Sequence, residues 1–465
     1  MILWRKTLGY AIGRGISSTI AFLLLPVLTR LMTPTEFGAW QIAEFWALLV
    51  MFSIRLGMEQ ALFKFYVTIP QKRKIILFNV LTVIAVMSSL FLIFGYLFRH
   101  TLSWIFLGTQ FHSKFAIMII LWGIADSLFS TLASVFQAEE RVKLFALMDI
   151  SRGALGYGFA ILLLIKGFGV SGVISARLGA SFAIVITVIP AILSRVKFKF
   201  DPKTATAMLK YGIPLTLNLF VVRIFSFSDR WLLAKLADFS AAGTYSAGVK
   251  IAAIIVVILM PIRYAWSARL FHLYQSGILR NRLPDVWRQL SGAMAIIASA
   301  LILLSPEIFK LLIGPGYESG MKIIPILAGA YFLDSFILIA DAGIYLRGKT
   351  IFVPIFTAIA AIINIGLNIL WIPRYGALGA AVSALIGFFV LLFLSWRVGQ
   401  FFFKINIPYL KVGLAISAVA VAIWITYTID SLFIRIFGLV LLVIALFFGT
   451  NLDKDIKGIG EIDKQ

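Results

Sequence analysis

The sequence predicts an all-α polytopic membrane protein with about fourteen transmembrane helices, arranged as two parallel six-helix lobes followed by two C-terminal helices. Three observations predict this class. The chain is 61% hydrophobic and only 13% charged, with a mean hydropathy of +1.00, values that soluble globular domains do not sustain. Apolar runs of membrane-spanning length follow one another through short connections. The chain also contains an internal repeat.

Each predicted span can cross a bilayer at roughly 20 residues per helix. The approximate bounds, read between charges or Pro and Gly residues, are 7–29, 37–63, 75–98, 115–137, 146–165, 171–193, 207–228, 243–267, 290–309, 323–345, 352–372, 377–396, 408–428 and 432–450. The longest connection, 268–289, is too short to hold a folded domain outside the membrane.

Lys and Arg residues are distributed unequally between alternate loops. With a cytoplasmic N-terminus, most of the 42 basic residues fall in loops on the cytoplasmic side, which is the usual bias of membrane proteins. This bias accounts for most of the net charge of +22, so no nucleic acid partner is expected. An even number of spans then places both termini in the cytoplasm.

The repeat relates the first six spans to the next six. Gly169 and Gly172 align with Gly376 and Gly379. Because an even number of spans separates the copies, both halves enter the membrane in the same sense, as in two-lobed transporters. The predicted divisions are an N-terminal lobe at 1–200, a C-terminal lobe at 201–403, and two additional helices with a cytoplasmic tail at 404–465.

Several site chemistries are excluded. There are no cysteines, which rules out disulfides and thiolate chemistry, and the three histidines have no metal-ligand spacing. Residues Gly343 to Thr350 fit a phosphate-loop pattern, but that loop requires a soluble strand before it. We therefore expect no cofactor, no metal, no nucleotide and no enzyme activity.

Basic residues inside the predicted spans are the main functional signal. Charges at that depth are costly and normally face a watery cavity or a partner, and guanidinium groups bind phosphate oxygens bidentately. The sequence therefore predicts a cationic cavity for an anionic substrate. The candidates are Arg14, Arg55, Arg152, Arg177, Arg223, Lys250 and Arg263.

These bases differ in their neighbours. Arg14 and Arg223 have no acid within a helical turn and are the leading ligand candidates. Arg55 and Arg152 have acids at helical spacing, so ion pairing competes with ligand binding there. Arg263, near the cytoplasmic end of its span, is expected to snorkel toward the interface.

Acidic residues inside the spans have two alternative roles. A carboxyl group in a low-dielectric site can carry a proton and couple transport to an ion gradient, or it can pair with a nearby arginine. Asp229 is placed at the outer end of the seventh span. The candidate coupling or ion-pair acids are Glu44, Glu59, Asp126, Asp229, Asp334 and Asp341.

Short motifs add a family resemblance that covers nearly the whole chain. They are PVLTRL from Pro26, PTEFGAW from Pro34, Asp229-Arg230 followed by AGTY from Ala242, and YGALGAA from Tyr375. This set resembles the polysaccharide export proteins, the O-antigen and capsule flippases of the multidrug/oligosaccharidyl-lipid/polysaccharide (MOP) exporter superfamily. These are packing and turn signatures, so they indicate the family and not the sugar.

The resemblance implies a V-shaped pair of lobes that carries an undecaprenyl-diphosphate-linked oligosaccharide, an O-antigen, capsule or exopolysaccharide repeat unit, across the inner membrane by ion-driven alternating access. The implied partners are this lipid-linked oligosaccharide, membrane lipids, H⁺ or Na⁺ as the coupling ion, and a polysaccharide polymerase. The alternatives are a lipid II-type flippase, suggested by fourteen spans, and a drug or cation exporter of the same superfamily. A more distant one is a membrane-embedded polymerase or glycosyltransferase.

Overall fold

A computed structural model describes residues 22–108 and 113–450, and these residues are overwhelmingly helical. The helices are α1 Leu25–Leu31, α2 Pro34–Arg55, α3 Met58–Thr68, α4 Arg73–Leu97, α5 Arg99–Leu107, α6 Lys114–Ala138, α7 Val142–Ile165, α8 Gly169–Leu193, α9 Pro202–Leu236, α10 Phe239–Ala252, α11 Ile254–Gln275, α12 Leu279–Leu303, α13 Ser305–Leu312, α14 Ile324–Ala340, α15 Ala342–Leu346, α16 Phe352–Phe402, α17 Tyr409–Thr428 and α18 Leu432–Gly449. Short 3₁₀ turns occupy Pro70–Lys72 and Glu318–Ile323.

Twelve helices among the described residues are long and apolar enough to cross a membrane, which confirms a multi-pass all-α protein. Two features account for the difference between these twelve helices and the fourteen predicted spans. Most of the first predicted span, with Arg14, lies outside the described residues. The 51-residue α16 contains non-helical Gly376, so it comprises two predicted spans. As one straight helix at 1.5 Å per residue, it would be longer than twice the hydrocarbon thickness of a bilayer.

The first pair of aligned repeat positions shares a positive φ. Gly169 and Gly376 have φ of 52° and 54°, a region that favours glycine. Three residues further on, Gly172 and Gly379 each approach the preceding helix so closely that an added Cβ would lie 2.9 Å from Leu163 Cβ and 2.6 Å from the Trp371 carbonyl oxygen, respectively. Each pair thus marks a break between consecutive spans, as the repeat predicts.

The chain forms two compact units. Unit 1 comprises Met1–Arg223, Asp238–Gly243 and Gly314–Gly316, and unit 2 comprises Ile224–Ala237, Thr244–Ile313 and Tyr317–Gln465. The predicted lobe boundaries differ from this division in detail, because α9 contributes residues to both units.

Within unit 1, α2 begins with a capping box in which the Thr33 hydroxyl accepts from Glu36 N and the Glu36 side chain accepts from Thr33 N. Such a box satisfies backbone donors that the first helical turn leaves free. The helix ends where Leu56 and Gly57 adopt left-handed conformations, with φ of 45° and 74°. This kink separates α3 from α2 within one predicted span.

Within unit 2, the C-terminal hairpin of α17 and α18 packs against α12. Polar contacts hold both ends. Arg435 of α18, only 4% exposed, donates to Glu307 Oε1 at 2.5 Å and to the Leu303 carbonyl at 3.3 Å. At the other end, Arg288 Nη1 donates to the Thr450 carbonyl at 2.7 Å. The helices that the sequence set apart from the repeat are therefore integral to unit 2.

Asp201, at the start of α9, gives a pH prediction. It accepts from Lys72 Nζ at 3.2 Å and from the Thr204 hydroxyl at 2.7 Å, and these hydrogen bonds, that from Thr204 first, lower its pKa from 3.8 to about 2. A lowered folded-state pKa stabilises the protein above pH 3.8, and this stability is lost as pH falls toward 2.

We expect Asp201→Asn to lower the melting temperature at neutral pH by an amount that shrinks between pH 4 and pH 2. The measurement is thermal unfolding of both proteins in detergent across that range. A difference that stays constant with pH would contradict the assignment.

Candidate functional site

Three helices of unit 1 bring a charged cluster together inside the predicted membrane region. Arg152 on α7 lies between two carboxylates, with its Nη1 3.0 Å from Asp126 Oδ1 on α6 and its Nη2 3.6 Å from Asp149 Oδ1. The Ser181 hydroxyl on α8 also donates to Asp126 Oδ1, at 2.5 Å. The guanidinium carbon of Arg152 lies 4.2 Å from the centre of the Phe129 ring. Arg152 is thus compensated by acids and by an aromatic face.

Arg177 extends this cluster from α8. Its guanidinium carbon lies 4.8 Å from the Tyr157 ring centre and 5.9 Å from that of Trp122, positions typical of cation–π contacts. Gly156 makes room for it, since an added Cβ would lie 3.3 Å from Arg177 Cδ. The carboxylates whose charges act on Arg177 are Glu44, Asp126 and Asp149.

Arg223, on α9, has neither the carboxylate contact of Arg152 nor the aromatic contacts of Arg177 among the described residues. It is partly buried, and within the described ranges its side chain makes no hydrogen bond or ion pair. Glu44 is the acid whose charge acts on it, but Glu44 accepts its hydrogen bond from Gln41 Nε2, at 3.4 Å. Arg223 therefore keeps its donors available.

Arg55 is paired as its spacing predicts. It contacts Glu59 across the kink between α2 and α3, and the two side chains are 7% and 17% exposed. Its guanidinium carbon also lies 5.3 Å from the Phe52 ring centre.

In unit 2, Arg263, which was expected to snorkel, forms an ion pair with an acid on another helix. Its Nη2 lies 2.5 Å from Asp334 Oδ2 and 3.4 Å from the Asp334 carbonyl oxygen. Asp341 lies seven residues after Asp334, on the same predicted helical face. It is 5% exposed, and its Oδ1 has no hydrogen-bond partner in the described part of the chain. Lys250 lies near the end of α10 and is partly buried.

Asp229, predicted at the outer end of the seventh span, lies on α9. Because α9 continues to Leu236, Asp229 lies about two turns inside the helix. It is 7% exposed and accepts from the fully buried Tyr245 hydroxyl at 2.5 Å and from Arg230 N at 2.8 Å. This carboxyl group belongs to a buried hydrogen-bonded network.

Known proteins resemble this chain in sequence and in fold. The sequence pattern of the family described as "Polysaccharide biosynthesis protein" matches residues 3–267, more than half of the chain. The chain belongs to this family. A curated relative, the probable low-salt glycan biosynthesis flippase Agl15 of Haloferax volcanii, is 22% identical over 354 residues, which cover 74% of this chain and 72% of the relative.

Solved structures show the fold of this family member. The lipid II flippase MurJ in an inward closed conformation aligns with a TM-score of 0.72 at 15% identity, covering 98% of this chain and all of that one. An inward-facing multidrug MATE transporter of the MOP superfamily aligns with a TM-score of 0.66 at 14% identity, covering 89% and 95%. The predicted resemblance to polysaccharide export proteins is therefore confirmed at the level of this family, and the chain shares the fold of these two transporters.

Sequence reasoning missed the partners that join different helices in this polysaccharide biosynthesis protein. Tyr157, Ser181 and Tyr245 carry contacts to charged groups. Nothing in the local sequence marks Tyr157 or Ser181, and the AGTY motif that contains Tyr245 does not indicate its contact with Asp229. The arrangement can do two things chemically. It leaves Arg223 able to bind an anion, and it keeps buried carboxyl groups where a change in protonation would alter an ion pair or hydrogen bond.

Proposed function

We propose that the protein is a flippase that moves an undecaprenyl-diphosphate-linked oligosaccharide from the cytoplasmic to the outer leaflet of the inner membrane by alternating access of its two lobes. Both termini are cytoplasmic in this proposal. The family membership and the glycan flippase relative support the substrate class.

The observation that carries the proposal is Arg223. Among the candidate arginines of the described residues, Arg55, Arg152 and Arg263 each contact a carboxylate, and Arg177 lies against two aromatic rings. Arg223 has neither kind of contact within the described ranges. A buried cation is costly without a counter-charge, and a diphosphate provides one through charge-assisted hydrogen bonds. We assign Arg223 and Arg14 to diphosphate binding.

The remaining basic candidates take secondary roles in this proposal. Arg177 and Lys250 add positive potential along the path of the substrate, and the paired arginines hold the helices in register. We assign ion coupling to the acids, first to Asp341, because a buried carboxyl group with an unpartnered oxygen can take up H⁺ without breaking an existing hydrogen bond at that atom.

The experiment measures translocation of a fluorescent undecaprenyl-diphosphate oligosaccharide in proteoliposomes. We expect Arg223→Gln to reduce the initial rate at least about tenfold, since one charge-assisted hydrogen bond contributes about 1.5–3 kcal/mol. The matched control is Arg269→Gln, which removes the same charge from an exposed position and should transport at the wild-type rate. Folded wild type that moves no lipid-linked sugar but expels organic cations would overturn the proposal.

A lipid II-type substrate is the second candidate. It is favoured by the match to the MurJ structure over 98% of this chain, which includes the C-terminal hairpin. Competition between lipid II and the lipid-linked oligosaccharide in the same proteoliposomes separates the two substrates. A protonophore and a sodium ionophore are then added separately. Loss of transport with the protonophore identifies H⁺ as the coupling ion, and loss with the sodium ionophore identifies Na⁺.

A further inference from the structure

A basic pocket of about 610 Å³ lies in unit 1, away from the charged cluster described above. It is formed where the 3₁₀ turn Pro70–Lys72 and the start of α4 meet the segment that follows α8. Its lining contains Arg73, Lys74, Arg195 and Lys197, together with Tyr66, and includes no acidic residue. Arg195 is paired with Glu139 behind the cavity, but Arg73, Lys74 and Lys197 leave a net positive charge there, and an anion would relieve the repulsion between them.

The two arginines of this pocket are held in place by neighbouring groups. Arg73 Nε donates to the Tyr66 carbonyl at 2.9 Å, and its guanidinium carbon lies 4.9 Å from the Tyr66 ring centre. Arg195 Nη1 donates to both oxygens of Glu139, at 3.2 and 3.0 Å, and the Tyr66 hydroxyl donates to the same carboxylate at 2.8 Å. Burial and this carboxylate raise the pKa of Tyr66 to about 12, so Tyr66 stays a neutral donor.

The two lysines are adjacent but have no such partners. Lys197 N donates to the Lys74 carbonyl at 3.2 Å, which joins the two segments of the pocket. Both side chains are exposed, and neither makes a hydrogen bond or ion pair with any described residue. The bias of basic residues toward the cytoplasmic side explains why lysines occur in these segments. It does not explain why two fixed arginines and two lysines without side-chain partners line one cavity.

The pocket lies at the level of a membrane surface. The helix α4 begins at Arg73 and α8 ends at Leu193, and both are candidate spans. Phe198, between Lys197 and Lys199, is 75% exposed, and Phe200 is 44% exposed. Exposed aromatic side chains beside lysines are typical of segments that contact lipid headgroups and acyl chains together.

We propose that this pocket binds the phosphate of an anionic lipid headgroup, with Lys74 and Lys197 as the ligands added to the fixed Arg73 and Arg195. The phosphate lies among the four bases, and Phe198 contacts the acyl chains. This site is separate from the proposed transport function, since it requires no translocation.

The test measures the dissociation constant of dioctanoylphosphatidylglycerol for the purified full-length protein in neutral detergent. We expect the double variant Lys74→Gln/Lys197→Gln to bind at least about tenfold more weakly, because each lysine near an anionic headgroup contributes about fivefold. The control Lys203→Gln/Lys210→Gln removes the same charge from exposed positions on α9 outside the pocket lining, and its affinity should stay within about twofold of wild type.

Three results would overturn the proposal. Equal losses in the two double variants would mean general electrostatic attraction without a site. Dioctanoylphosphatidylcholine binding as tightly as the anionic lipid would remove the role of net charge. Inorganic phosphate that displaces the lipid at similar concentrations would assign the pocket to free phosphate. Melting temperatures of both variants equal to wild type establish that the comparison is between folded proteins.

Discussion

Replacing Arg152 with methionine is expected to destabilise the protein by about 3 kcal/mol, because breaking a buried ion pair leaves its other members uncompensated. Asp126 and Asp149 are only 17% and 15% exposed, and both would lose their counter-charge. Methionine keeps most of the volume of the side chain, so the loss is electrostatic. The measurement is the melting temperature of the purified protein in detergent.

Two further variants separate charge from packing. Arg152→Lys keeps the charge and should retain most of the stability, although it loses the two-pronged contact. The double variant Arg152→Met/Asp126→Asn removes one uncompensated carboxylate and should recover part of the loss. If Arg152→Met alone melted at the wild-type temperature, the cluster would contribute nothing to folding.

Gly57→Ala is expected to destabilise the protein by more than about 4 kcal/mol, a size reserved for severe local conflicts. Gly57 has φ of 74°, which alanine adopts only with strain, and an added Cβ would lie 2.0 Å from the Gly212 carbonyl oxygen on α9. Both partners are backbone, so no side-chain rotation relieves the clash.

The control for this variant is Gly158→Ala. Gly158 lies within α7, and an added Cβ there would meet nothing within 4 Å, so we expect a neutral effect or a gain of up to about 1 kcal/mol from helix propensity. Yield of folded protein and melting temperature report both variants. Equal behaviour of the two alanine variants would contradict the close approach of α2 and α9.

Contacts within one helix could be predicted from the sequence, whereas contacts between helices could not. The spacing of Arg55 and Glu59 indicated their ion pair, since residues four apart share a helical face. Asp126, which lies closer to Arg152 than Asp149 does, is on another helix, and so is the Asp334 partner of Arg263.

The physical reason is the uniform hydrophobicity of the spans. A soluble helix shows its buried face as a stripe of apolar residues, but a membrane helix is apolar on every face. The rotation of α6 or α14 about its own axis is therefore not encoded by a simple pattern. The positions of the spans and the repeat, with its aligned glycines, could be predicted because they depend on the length and order of the apolar segments and on backbone conformation.

The anchoring of the C-terminal hairpin has a consequence for how the protein is made. Arg435 emerges from the ribosome after Glu307, and another of its acceptors, the Leu303 carbonyl, belongs to the same earlier segment. Arg288 of α12 is likewise synthesised long before its acceptor, the carbonyl of Thr450. Arg435 and Thr450 thus complete the hydrogen bonding of helices synthesised much earlier, so these contacts of unit 2 form only after α18 has been made.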